Sequence, residues 1–145
     1  MTGTFIDASA LIAATRGSTP TGQRATDIID DADRILLASD FVRLEVLPKA
    51  IFHGRTTEAE FYDAFFGNPL TELAMITSDL IQQAFAIAAR WNLNAVDALH
   101  VAAAMQMGAD EFVTAERPTS SLSRVAEPGL TIISIRSERE GLSEE

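Results

Sequence analysis

Apolar residues along the chain alternate between short runs, which favour β-strands, and longer periodic segments, which favour α-helices. The short runs are rich in β-branched residues and apolar on both sides, as buried parallel strands are. They predict strands at residues 4–7, 35–39, 73–77, 111–114 and 130–135. Helical spacing of apolar residues predicts helices at 21–33, 41–52, 58–66, 79–91 and 96–107. This alternation is typical of an α/β protein with a parallel sheet.

Three local features refine this interpretation. Pro48 lacks an N–H group and is expected to kink or restart the helix at 41–52. Gly108 follows the apolar segment 96–107 and suits a glycine C-cap. Neither a linker nor an internal repeat is visible, so we expect one domain at residues 1–136 and a charged, frayed tail at 137–145.

Composition limits the classes of function. The 145 residues are 47% hydrophobic, and 21 acidic against 11 basic residues give a net charge of -10. Binding to nucleic acid through bulk charge is therefore not expected. The absence of cysteine excludes disulfides and thiolate metal sites. No apolar stretch reaches the length that a bilayer requires, so we expect a cytoplasmic protein without a membrane anchor.

Four acidic residues occupy positions that a parallel sheet would bring to one edge. Asp7 ends the first predicted strand, Glu45 lies near the start of the helix after the second, Asp97 begins the helix at 96–107, and Glu116 follows the fourth strand. The carboxyl ends of parallel strands, and the helices that begin there, share an edge where ligands bind. The four carboxylates are therefore expected to converge, although they are far apart in sequence.

Simpler roles are open for the first two acids. Asp7 could cap the helix that follows it, although Ser9 is the better placed N-cap. Glu45 could pair with Lys49 at an i, i+4 spacing on an exposed helix face. Either role would account for one acid without any ligand.

Simpler roles are also open for the other two. Asp97 could complete a capping box with Asn94, and Glu116 could be a loop acid beside Arg117. The remaining acids near strands are expected at the opposite edge or on a polar helix face, where they would serve as solvating groups: Asp30, Asp31, Asp33, Asp110 and Glu111.

One shared cation explains the four acids together more economically than four separate roles. Crowded carboxylates repel one another unless a cation lies between them. Oxygen ligands without cysteine or a histidine cluster favour Mg²⁺ or Mn²⁺ over zinc. Such a metal supports hydrolysis of a phosphate ester, which is the chemistry that this pattern indicates.

Four segments carry a resemblance to a known family. "FIDASALIA", "FVRLEVL", "NAVDALHVAAA" and "FVTAE" resemble, in order and spacing, the four acidic motifs of PIN domains, and in particular of the VapC-type toxin ribonucleases. The resemblance implies a three-layer α/β/α domain with a central, mostly parallel five-stranded sheet. It also implies a Mg²⁺- or Mn²⁺-dependent endoribonuclease that is the toxin of a type II toxin-antitoxin system. RNA would be its substrate and an antitoxin protein its partner, and it would form a homodimer.

The resemblance also implies roles for individual residues. Asp7, Glu45 and Asp97 match the core acids of the family, and Glu116 takes the place usually held by an aspartate. Thr114 matches a hydroxyl residue that supports the metal site, and Ser9 matches a small polar position beside the first acid. Two departures bear on the site: Glu116 is one methylene longer than aspartate, and Pro48 after "EVL" could shift the presentation of Glu45.

Other residues near the proposed edge have open interpretations. His100 could contact substrate or simply pack in the core. Five basic residues could meet phosphates or be solvated surface charges: Arg16, Arg43, Lys49, Arg55 and Arg117.

The sequence also bears on three other classes of protein. A PIN-like module with weak or no catalysis, which binds protein or RNA, is the main alternative because of Glu116. Haloacid-dehalogenase-like phosphatases need a second aspartate where this chain has Ser9, and no glycine-rich loop follows the first strand as a dinucleotide-binding domain requires.

Overall fold

Five parallel strands form the central sheet in the order β3-β2-β1-β4-β5. This computed structural model describes residues 1–137. The strands are β1 (Thr2–Ile6), β2 (Arg34–Ala38), β3 (Glu72–Leu73), β4 (Glu111–Thr114) and β5 (Thr131–Ser134). All four strand pairings are parallel, with Phe5 opposite Leu37 on one side and Phe112 on the other.

Six α-helices connect and cover the strands within the described residues. They are α1 (Ala8–Ala14), α2 (Pro20–Ile29), α3 (Asp40–Phe52), α4 (Thr56–Gly67), α5 (Ser78–Trp91) and α6 (Ala95–Gln106), and a short 3₁₀ helix spans Ser121–Arg124. Side-chain oxygens accept from backbone N–H groups at the starts of five of them, which explains where these helices begin: Asp7, Thr19, Ser39, Thr77 and Asn94. The prediction of a three-layer α/β/α fold around a parallel sheet is confirmed.

The third predicted strand was too long. Instead of residues 73–77, β3 spans Glu72–Leu73 at the edge of the sheet. Met75 and Ile76 are exposed and lie beyond its pairing with β2. Thr77 then caps α5. The expectation that strands are buried on both faces thus holds for the central strands, and it does not hold for this edge strand.

Two helices also differ from prediction. α2 ends at Ile29 rather than 33, because the carboxylate of Asp31 accepts from the backbone of Asp33 at 2.9 Å and from Arg34 Nε at 3.0 Å and thereby forms the turn into β2. α3 continues through Pro48 without restarting. Pro48 is exposed, so water can satisfy the carbonyl that loses its helical partner.

Two acids at the start of β4 are structural rather than solvating, which corrects the prediction. Asp110 Oδ2 accepts from the backbone N–H of Gly3 at 2.8 Å. Glu111 Oε1 accepts from Thr4 Oγ1 at 2.7 Å and forms an ion pair with Arg34. The side chains of Asp110 and Glu111 therefore join β4 to β1 and β2 at the edge opposite the proposed site.

The core lies between the sheet and its covering helices. Phe5 and Phe112 stack side by side on β1 and β4, with ring centroids 5.4 Å apart. α6 packs close to the sheet because small residues cover much of its surface, and Ala102, Ala103 and Ala104 are fully buried. Gly108 takes a φ of 68° just after this helix, as the predicted glycine C-cap requires.

The end of the described chain is attached to the domain. Ser137 is buried, and its backbone N–H donates to Thr21 Oγ1 at 2.9 Å. The rest of the predicted tail, residues 138–145, lies outside the described residues. Among the helices that are described, none combines the length and apolar character needed to cross a membrane.

Gly22 in α2 allows α1 and α2 to approach each other closely. A Cβ atom at this position would lie 1.9 Å from the carbonyl oxygen of Arg16 and 2.7 Å from that of Ala13. Both neighbours are backbone atoms, so no side-chain rotation can relieve the overlap. The contact between these helices therefore requires glycine.

We expect Gly22→Ala to lower the free energy of unfolding by about 3 kcal/mol or more, because the backbone of α1 must move to admit the methyl group. Gly67→Ala is the matched control: Gly67 ends α4 with nothing within 4 Å of its would-be Cβ, so the change should be below about 1 kcal/mol. Urea denaturation measures both. Equal stability of the two variants would contradict the close approach.

Candidate active site

Asp7 lies at the carboxyl end of β1 and is almost completely buried, with 3% of its surface exposed. Its extended backbone makes it the N-cap of α1, and its Oδ1 accepts from the backbone N–H of Ala10 at 2.9 Å. The expectation that Ser9 would be the N-cap is therefore wrong. Ser9 lies inside the first turn, and Asp7 both caps the helix and faces the edge of the sheet.

A network of hydroxyl groups connects Asp7 with the end of β4. Ser9 Oγ donates to Asp7 Oδ1 at 2.8 Å and lies 3.1 Å from Thr114 Oγ1. The backbone N–H groups of Ala115 and Glu116 donate to these two hydroxyls, at 2.9 and 3.1 Å. Ser9 and Thr114 thus tie the end of β1 to the segment that carries Glu116.

Asp97 lies in the first turn of α6, which Asn94 caps. Asn94 Oδ1 accepts from the backbone N–H of Asp97 at 2.8 Å, and Asn94 Nδ2 donates to Asp97 Oδ2 at 3.2 Å. The Asn94 half of the capping box considered from the sequence is therefore present, whereas the Asp97 carboxylate accepts from the side chain of Asn94, where a capping box would use its backbone N–H. Asp97 is half-buried and keeps access to the edge of the sheet.

Glu45 in α3 contacts His100 in α6 instead of Lys49. Glu45 Oε1 lies 2.5 Å from His100 Nε2, and the imidazole has only 2% of its surface exposed. Sequence reasoning considered packing and substrate contact for His100 and missed this contact with another candidate site residue. The signal was its position on α6, one helical turn after Asp97.

The charges of Glu45 and Glu116 reach Asp97. Burial raises the pKa of Asp97 above its usual range, and the negative charges of Glu116 and Glu45 raise it further, while His100 opposes the shift. Two carboxylates that are remote in sequence therefore act on a third. This mutual repulsion is the property that a bound cation would relieve.

Asp7 is held in an environment that disfavours its charge. Burial raises its pKa from 3.8 to about 6, although the backbone N–H of Ala10, the hydroxyls of Thr114 and Ser9 and the charge of His100 all act in the opposite direction. Desolvation exceeds these favourable contacts together. An ionised Asp7 would therefore gain from a cation at this edge.

The residues present fit a hard divalent cation by donor chemistry. The candidate ligands are oxygen atoms of Asp7, Glu45, Asp97 and Glu116, which suit Mg²⁺ or Mn²⁺. Within residues 1–137, no three acids or histidines are drawn together closely enough to ligate one ion as they stand. The fold brings the acids to one edge, where the charges of Glu116 and Glu45 act on Asp97.

Basic residues are distributed around two cavities. Arg117 lines one of about 570 Å³ beside the site, together with Thr114 and Ser134. Arg16 and Arg55 line another, of about 610 Å³, between the end of α1 and the start of α4.

The other two basic candidates lie on α3. Arg43 borders a mostly apolar groove on that helix, and Lys49 is exposed. Of the five basic residues, Arg117 is thus the one that shares a cavity with the network around Asp7.

Sequence comparison identifies the family. The PIN domain family matches residues 4–127, which span all four acids. The chain belongs to the PIN domain family. The predicted family is thus confirmed. Comparison with curated proteins found no significant match.

Solved structures share the PIN fold at low sequence identity. A toxin-antitoxin complex from Klebsiella pneumoniae has a TM-score of 0.68 at 16% identity, covering 92% of this chain and 98% of that one. VapBC2 from Rickettsia felis, bound to a promoter DNA fragment, has a TM-score of 0.67 at 12% identity, with 91% and 98% covered. Mycobacterium tuberculosis VapC20, a sarcin-ricin loop cleaving toxin, has a TM-score of 0.64 at 18% identity, with 83% and 93% covered.

We expect Asp7→Asn to stabilise the metal-free PIN domain at neutral pH. The folded state keeps a proton on Asp7 up to about pH 6, whereas the unfolded state releases it near 3.8, so wild-type stability falls as pH rises through this window. Asparagine cannot ionise, and its side-chain oxygen can still accept a hydrogen bond from the backbone N–H of Ala10. The variant should gain up to about 3 kcal/mol above pH 6, and the gain should vanish near pH 4.

Urea denaturation in the presence of a chelator, repeated across this pH range, measures the difference. Asp33→Asn, at an exposed acid before β2, is the matched control for the removal of one carboxylate. A gain of the same size at every pH would show that the pKa of Asp7 is the same in the folded and unfolded states, and would contradict the shift.

Proposed function

We propose that this PIN domain is a Mg²⁺- or Mn²⁺-dependent endoribonuclease of the VapC toxin type, which hydrolyses RNA phosphodiester bonds. The observation that carries the proposal is that the charges of Glu116 and Glu45 act on Asp97 and raise its pKa. This occurs at the edge of the sheet where Asp7 is buried. Membership of the PIN family supports it. The fold shared with VapC20, described as a toxin that cleaves the sarcin-ricin loop, supports it further.

In the proposed reaction Asp7 and Asp97 would hold the cation, and Glu45 and Glu116 would complete its surroundings. Ser9 and Ala10 both donate to Oδ1 of Asp7, which holds its carboxylate in place at the end of β1. Thr114 and Ser9 fix the end of β4 relative to Asp7, so that Glu116 is presented from a restrained backbone. The cation, when bound, supplies an activated water and stabilises charge on the phosphate.

RNA would be bound through local features, because the chain carries a net charge of -10. Arg117 lies in the cavity beside Thr114 and could neutralise a phosphate next to the scissile one. The remaining attraction for the RNA phosphates would come from the cation between the acids. Binding should therefore depend strongly on metal and less on bulk electrostatics. Activity on RNA fits a location in the cytoplasm.

An antitoxin and a second copy of the chain are the proposed protein partners. Two of the similar structures are described as VapBC from Rickettsia felis and Salmonella typhimurium bound to DNA, and another as a toxin-antitoxin complex. Large apolar side chains on α3 are exposed here, with Leu44 at 69%, Ile51 at 63% and Phe52 at 84%. Such apolar exposure on one helix is typical of protein interaction surfaces.

The purified chain should cleave RNA when Mg²⁺ or Mn²⁺ is present and stop when a chelator is added. Asp7→Asn and Asp97→Asn should each reduce the rate by about 100-fold or more, since each removes a charge that holds the cation. Asp33→Asn should cleave at the wild-type rate. Unchanged cleavage by Asp7→Asn, in a preparation free of contaminating nuclease, would reject the mechanism.

A binding module without catalysis is the second candidate. It is favoured by the longer, exposed Glu116 and by the lack of a closed set of ligands within residues 1–137. Such a module would bind RNA or protein without a functional metal site. Calorimetric titration with Mn²⁺ separates the two, because a decayed site should give no heat that depends on Asp7 or Asp97.

Variants of Glu116 test whether the fourth acid belongs to the site. Glu116→Gln should weaken Mn²⁺ binding by about tenfold, because it removes a negative charge near the cation. Glu116→Asp should retain the wild-type affinity, because it keeps the charge at the length usual in the family. Calorimetry measures both, and wild-type affinity in Glu116→Gln would exclude Glu116 from the metal site.

A further inference from the structure

His100 is a buried polar side chain that the proposed reaction does not use. It lies on α6, faces the acids of the site and has one nitrogen, Nε2, 2.5 Å from Glu45 Oε1. Its other nitrogen, Nδ1, is buried without a hydrogen-bond partner among the described residues. A buried nitrogen without a partner is costly, so the position of this ring calls for a reason beyond packing.

The two nitrogens settle the direction of the hydrogen bond. A proton on Nδ1 alone would be buried without an acceptor and would leave two acceptor atoms, Nε2 and Glu45 Oε1, facing each other. A proton on Nε2 faces a carboxylate oxygen at hydrogen-bonding distance. His100 therefore donates from Nε2 to Glu45.

The donor is buried and the acceptor is partly exposed. The imidazole is buried in the core, with its ring centroid 6.3 Å from that of Phe5. The Glu45 side chain has 38% of its surface exposed and projects from a different helix, α3. Without a fixed partner a glutamate of this exposure would sample several rotamers.

We propose that His100 is a positioning residue, which holds the carboxylate of Glu45 at the edge of the sheet by donating from Nε2 to Oε1. The hydrogen bond uses one oxygen and leaves Oε2 for the cation or for the water around it. It also fixes α3 relative to α6, which carries Asp97. This inference rests on the proposed metal-dependent function, because it concerns how one acid of that site is presented.

Three substitutions separate the hydrogen bond from the volume of the ring. His100→Leu removes the donor and keeps an apolar side chain of moderate size. His100→Gln places an amide N–H close to the position of Nε2, and His100→Asn is too short to reach Glu45. Each is made in the wild-type chain and in Glu45→Gln, and Mn²⁺ affinity is measured by calorimetry alongside the thermal stability of the metal-free protein.

We expect His100→Leu and His100→Asn to weaken Mn²⁺ binding by about tenfold and His100→Gln to stay within about twofold of wild type. In the Glu45→Gln background the same substitutions should have little further effect on affinity, because the carboxylate that they position is gone. If His100→Leu fails to fold, the comparison of His100→Gln with His100→Asn still tests the proposal.

Failure of this inference differs from failure of the proposed function. Mn²⁺ binding that Asp7→Asn abolishes but His100→Leu and His100→Asn leave unchanged would overturn the role of His100 alone. A loss of affinity as large in Glu45→Gln as in wild type would assign His100 to packing and also overturn it. Absence of carboxylate-dependent Mn²⁺ binding in the wild-type chain would overturn both proposals.

Discussion

The parallel pairing of β1 between β2 and β4 determines where each acid of the candidate site can lie. The backbone N–H of Asp7 donates to the carbonyl of Val113 at 3.1 Å, which brings the ends of β1 and β4 together. α1 and α3 begin at the same edge because they follow β1 and β2 directly. Loss of this pairing would separate Asp7 from Glu116 and from the hydroxyls between them.

The site residues combine structural and chemical roles. Asp7 caps α1 through Oδ1, and Asp97 takes part in the cap of α6 through Asn94. From the sequence, capping and ligand binding were alternatives for each residue. A carboxylate has two oxygens with about four lone-pair positions, so one side chain can fill both roles at once. The candidate site is thus attached directly to the starts of two helices.

Sequence periodicity predicted the order of the elements and the parallel sheet, because buried strands and amphipathic helices follow simple repeats. It failed where tertiary contacts determine where an element begins or ends. β3 is shortened by its edge position, and α2 is shortened by the contact between Asp31 and Arg34. The placement of the four candidate acids at one edge follows from topology and could be predicted. The contact of Glu45 with His100 could not, since it depends on how α3 packs on α6.

The two ends of β4 show how the surroundings of an acid decide its use. At the start of the strand, Glu111 is matched by a hydroxyl and a guanidinium from neighbouring strands. Beyond its end, Glu116 lies exposed and repels Asp97. At the start of the strand an acid is thus matched with a cation from a neighbouring strand, whereas beyond its end two acids raise the pKa of a third. One strand therefore carries a clamp between strands at one end and a candidate ion-binding edge at the other.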